Sequence, residues 1–191
     1  MLDDKLEKWP ETGQTIKERC HCGCHGNRND NLIDSLHFDH GMELVLTGEI
    51  PKEACIVWQE FITGQSWTPG LEFVDLRAGG HLTYYSDSLT PDKYMIMDYE
   101  EEKVISFNWL DSAIVTIEFI ESAVDLTSII LTYWTPEGGE TLASNLLTWM
   151  IALKKLATII QGGSCDISQA DKDFLYKEIQ AKIEALATRK Y

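Results

Sequence analysis

The stretch Val104-Ile105-Ser106-Phe107-Asn108-Trp109 decides the fold. Ile105, Phe107 and Trp109 fall on alternate positions, with Val104, Ser106 and Asn108 between them. That period of two belongs to a strand with one face buried. Val115, Ile117 and Phe119 repeat it, and Ile129, Leu131 and Tyr133 repeat it again. Upstream, Met95, Met97 and Tyr99 alternate, and Gly79-Gly80 separates Leu71–Arg77 from His81–Ser86. Leu44, Leu46 and Ile50 mark an earlier strand that Pro51 ends, because proline cannot donate to a ladder. Strands in sequence joined by short turns predict an antiparallel meander.

Two helical periods frame this sheet. Ala54, Val57, Trp58 and Phe61 predict a short helix ending near Thr63. After Pro136 and Gly138-Gly139, a stripe of Leu142, Leu146, Trp149, Leu153, Leu156 and Ile160 predicts a long helix, which Gly162-Gly163 stops. A last helix follows Ser168, with Leu175, Ile179, Ile183 and Leu186 on one side. The expectation is an α+β domain in which a curved antiparallel sheet of six to seven strands wraps around the long C-terminal helix. The boundaries read as an N-terminal extension over 1–40, the sheet-and-helix domain over 41–163, and a helical extension over 164–191.

The chain of 191 residues has 31 acidic against 16 basic residues, a formal charge of −15. Nucleic-acid affinity comes from Lys and Arg neutralising phosphates, so this balance excludes a nucleic-acid partner, and an anionic membrane surface with it. The acidic start, Met1-Leu2-Asp3-Asp4-Lys5, is no secretory signal, and no apolar run reads as a membrane span. Five cysteines are an odd number, three of them crowded together, which suits a reducing cytoplasm better than a disulfide framework.

Several segments resemble the heat shock protein 90 ATPase activator-like domain. They are Ala54–Thr63, Asp75-Leu76-Arg77-Ala78-Gly79-Gly80, Val104–Trp109, Asp111–Ile117 and Trp149–Leu156. That family belongs to the helix-grip superfamily, with steroidogenic-acute-regulatory lipid-transfer domains, polyketide cyclases and birch-pollen-type allergens. The resemblance covers about residues 42–162. It implies the helix-grip fold and a cavity suited to apolar ligands, but no single activity.

A wide sheet under one helix can enclose an apolar cavity. Trp58, Tyr84, Met95, Met97, Phe107, Trp109, Tyr133, Trp149 and Leu153 are its expected lining, with Trp109 and Trp149 facing one another. The first reading is a non-catalytic protein that holds a small apolar molecule, with a stress-related or chaperone-related adaptor role. An enzyme of the polyketide-cyclase type would use the same cavity, yet no nucleophile–base motif is legible. A third reading is a metal- or redox-responsive protein. Cys20, Cys22, Cys24 and His25 offer soft ligands for zinc or a similar ion, although the spacing matches no established zinc motif. No cofactor is otherwise expected. Expected partners are a small apolar molecule, a chaperone or other protein, and a second copy meeting through the C-terminal helix. Arg77 should pair with Asp75 or Glu72, and Glu100-Glu101-Glu102 should form a solvated turn.

Overall fold

The computed structural model describes residues 33–37, 41–63, 67–85, 90–136 and 141–188. Eight strands form one antiparallel sheet: β1 Ile33–His37, β2 Met42–Ile50, β3 Leu71–Asp75, β4 His81–Tyr84, β5 Asp92–Glu100, β6 Val104–Trp109, β7 Ala113–Ala123 and β8 Leu126–Thr135. Their order is β1-β2-β8-β7-β6-β5-β4-β3. The meander from β3 to β8 is as expected, and β2 closes on β8 with Leu44 opposite Tyr133. The sheet's edge strand β1 was not foreseen. Residues 33–37, expected within the N-terminal extension, instead pair with β2 and set Leu36 opposite Leu44.

Helix α1, Ala54–Thr63, buries Val57, Trp58 and Phe61. Helix α2, Thr141–Ile160, lays Leu142, Leu146, Trp149, Leu153 and Leu156 onto the same core. By length and composition α2 is the one described helix apolar enough to cross a membrane. Its buried stripe instead makes it the core helix of this domain. Gly162, at φ +77°, ends it in the left-handed conformation that glycine tolerates best.

The Asp75–Gly80 turn shows why glycine stands at its end. A Cβ on Gly80 would sit 2.0 Å from the Asp75 carbonyl oxygen. Arg77 pairs with Asp75, its Nη2 lying 3.1 Å from a carboxylate oxygen, and both side chains are exposed. Glu100 and Lys103 pair across the β5–β6 turn. Such solvated pairs contribute little to stability.

Helix α3, Gln169–Thr188, packs against α2. Leu175 and Ile179 are buried there, and Ile183 is partly buried against the same core. Of the two expectations for this stripe, packing on its own domain or a dimer surface, the structure shows the first at these positions. Ile179→Ala should destabilise the protein by about 2–5 kcal/mol, as truncation of a buried aliphatic does. Urea denaturation would measure the loss, and light scattering should show an unchanged oligomeric state.

Candidate functional site

The space between the sheet and α2 is occupied by aromatic rings in mutual contact. Trp109 on β6 and Trp149 on α2 face one another, as the two periodicities predict, with ring centroids 5.3 Å apart in an edge-to-face arrangement. Phe107 reaches Trp149 at 5.9 Å, and Tyr84 reaches Trp109 at 5.2 Å. Trp58 on α1 lies deeper and meets Phe119 at 5.1 Å and Tyr99 at 5.9 Å. Tyr133 is buried, and its hydroxyl accepts a hydrogen bond from Asn145 Nδ2 at 3.1 Å. Leu153 is buried on the α2 stripe. These separations are those of packed aromatic pairs. The two tryptophans touch, where the sequence reading had set a cavity between them.

Met95 and Met97 do not belong to this interior. They are 54% and 46% exposed and point to the outer face of the sheet. Tyr94 and Ile96 are the inward residues of β5. A register shift between Ile96 and Asp98 then turns Tyr99 back toward the core. A β-bulge adds one residue to the alternation, so Met97 and Tyr99 lie on opposite faces despite their spacing. Tyr94 takes the place expected of the methionines, at 4.7 Å from Trp109.

Trp67 was also missed, because the segment after α1 has no period to read. Its Nε1 donates to the Phe61 carbonyl at 3.0 Å, and its ring stacks on Phe61 at 4.9 Å. It also meets Trp149 at 6.5 Å and so joins the two aromatic groups. A cleft of about 60 Å³ lies beside it, lined by Phe61, Ile62, Trp67, Leu71 and Phe73 among others. A cavity of about 150 Å³ is known to admit benzene. This cleft is too small for an aromatic molecule unless a ring moves.

Among the described residues four buried side-chain atoms have no hydrogen-bond partner: the Thr68 and Thr83 hydroxyls and, within the aromatic interior, the indole Nε1 groups of Trp58 and Trp149. Nearly all buried polar groups in folded proteins are paired. Leaving one unpaired costs about 1–3 kcal/mol.

Titration is perturbed at two described groups. Desolvation, then the Glu53 carboxylate that accepts from Cys55 Sγ, holds the Cys55 thiol above its ordinary value. Thiolate is therefore scarce at neutral pH, which argues against a nucleophilic role. Burial, then Glu101, raises the Tyr99 phenol. The proposed metal ligands Cys20, Cys22, Cys24 and His25 lie outside the described residues. Among the described residues, no three His, Cys, Asp or Glu side chains are grouped to hold an ion.

No family model matches the sequence, and no curated protein does. Solved structures do match. A conserved protein of unknown function from Enterococcus faecalis superposes with a TM-score of 0.71 at 18% identity, over 80% of this chain and 91% of that one. CalU16 from Micromonospora echinospora gives 0.62 at 17% identity, over 74% and 88%. An HSP90 activator from Plasmodium falciparum gives 0.53 at 21% identity, over 66% and 100%.

Two measurements test the site's energetics. Trp149→Phe should stay within about 1 kcal/mol of the native protein, because removal of the orphan donor offsets the smaller ring. Trp149→Ala should cost about 3–5 kcal/mol by urea denaturation. As for pH, the folded chain holds the Tyr99 proton more tightly than the unfolded one. The stability this supplies is present below about pH 10 and is lost as pH rises through the folded value. Melting temperatures above pH 10 should therefore fall less steeply for Tyr99→Phe than for the native protein. At identities below 25% the likeness concerns architecture, and in architecture the chain is a helix-grip domain of the form that HSP90 activators also take.

Proposed function

We propose that the domain is a binding protein that takes a small, flat, apolar molecule with one hydrogen-bond acceptor between the sheet and α2. The carrying observation is Trp149 Nε1, which is buried beside Trp109 with no acceptor. A ligand acceptor at that point recovers an interaction worth about 0.5–1.5 kcal/mol. Entry requires a ring to rotate, since the two tryptophans are in contact. The site would comprise Trp58, Tyr84, Phe107, Trp109, Tyr133, Trp149 and Leu153, with Tyr94 and Trp67 replacing Met95 and Met97.

A chaperone-related adaptor role is the second reading. It draws on the fold shared with the HSP90 activator and on the exposure of Met95 and Met97. The Cys20–His25 cluster is proposed as a soft-metal site, and metal analysis of the purified protein would test it. The free thiols Cys55 and Cys165 agree with residence in a reducing cytoplasm.

Naphthalene and quinoline test the ligand reading, because they share a shape and only quinoline carries an acceptor. Calorimetric titration should show quinoline binding about 2–10-fold more tightly to the native chain, the equivalent of one hydrogen bond. That preference should vanish in Trp149→Phe. If neither compound binds the folded protein, the interior is solid core and the ligand reading fails.

A further inference from the structure

The described contacts of α1 and α2 with the sheet lie on its inner face, and α3 packs on α2. Among the described residues no helix covers the other face. That outer face is nevertheless apolar along one line. Trp134 on β8 stands opposite Ile114 on β7, and Ile114 stands opposite Asn108 on β6. The Asn108 side-chain oxygen accepts the Met95 backbone N–H at 2.5 Å, which extends the line onto β5. Trp134, Ile114 and Val45 are half-buried, while Met95, Met97 and Ile120 are exposed. Strand β8 carries Ile129, Leu131 and Tyr133 inward and Ile130 and Trp134 outward. Ser128 and Thr132 share that outward side, so the apolar residues of this face are set among hydroxyls. Trp134, Ile114, Met95 and Met97 are gathered at one end of that face, on either side of Asn108, and apolar side chains grouped in this way mark a contact with something else.

Charge selects among the things that could cover it. Glu43 lies opposite Trp134, Glu118 lies between Ile114 and Ile120 on β7, and Asp98 adjoins Met97. These carboxylates share the face with the apolar band, in a chain of net charge −15. A second copy would set the same carboxylates against each other, and phosphate groups would be repelled. A cationic partner meets no such penalty. Methionine side chains also adapt their shape to varied apolar surfaces.

We propose that the outer face of the sheet docks a basic amphipathic segment of another protein. Its apolar side lies on the Trp134–Ile114–Met95 band, and its Lys and Arg side chains lie over Glu43, Asp98 and Glu118. The inference needs neither a chaperone nor the inner ligand site, because it uses the opposite face of the sheet.

A fluorescent leucine–lysine amphipathic peptide is the probe, titrated by anisotropy against the full chain near physiological ionic strength. A leucine–glutamate analogue serves as its control. The cationic peptide should bind and the anionic one should not. Met95→Ser with Met97→Ser, both exposed in the native fold, should weaken binding at least about tenfold, as removal of interface anchors does. Glu118→Lys should weaken it too and flatten its salt dependence. Circular dichroism would confirm that the variants are folded. The proposal is overturned if the cationic peptide does not bind, or if the methionine variant binds it as the native chain does. It is equally overturned if the native chain is a dimer that the methionine variant converts to monomer, since the occupant is then a second copy.

Discussion

The structure depends on the contact of one helix with one sheet face. Antiparallel strands bring their inward residues to a common surface, and α2 closes that surface with Leu146, Trp149 and Leu156. Trp149 is the central piece, since it meets rings from β6 and from the segment after α1. Without α2 in place, Phe107, Trp109 and Trp67 would share a wet apolar surface, at a cost of several kcal/mol of burial. Helix α3 then rests on α2 through Leu175 and Ile179, so the C-terminal segment serves the same closure from behind.

Aromatic size explains both the close packing of the interior and its unpaired indole donors. Large flat rings fill the space between a curved sheet and a helix with few residues, and their edge-to-face contacts add to simple burial. An indole, however, brings a donor wherever it goes. Trp67 answers its own through the Phe61 carbonyl, because a loop leaves a backbone oxygen within reach. Trp149 and Trp58 sit on helices, whose carbonyls are largely engaged within the helix, and the rings around them offer no strong acceptor. The same packing that excludes water therefore leaves donors unanswered at the centre, the combination on which the ligand reading stands.

The sequence made some of this legible for physical reasons. Strands β6 and β7 could be read because their inner and outer residues differ in character, as in Phe107 beside Asn108 or Ile117 beside Glu118. Strand β5 could not be read in phase. Tyr94-Met95-Ile96-Met97 is apolar on both phases, and the bulge that follows turns Tyr99 inward without a sequence mark. Strand β1 depends on pairing with β2 and has little local signal of its own. For α3 the apolar stripe was evident, but a stripe looks the same whether it covers its own domain or a twin. Trp67, in a segment without period, offered only its size.

The misread strand also shows how the two faces of the sheet are tied together. Ile96 is held from one side by the turn between β3 and β4: Gly79 N–H donates to the Ile96 carbonyl at 2.8 Å, and Ile96 N–H donates to Gly80 O at 2.9 Å. From the other side, Asn108 Oδ1 takes the Met95 N–H one residue earlier. These bonds fix the strand immediately before its bulge, so they determine which residues fall inward beyond it. A one-residue slip in a strand exchanges its faces. Here it would carry Met95 and Met97 into the core and expel Tyr94 and Ile96. The close approach that excludes a Cβ at Gly80 thus helps set the register on which Tyr94 meets Trp109 inside while the methionines remain outside.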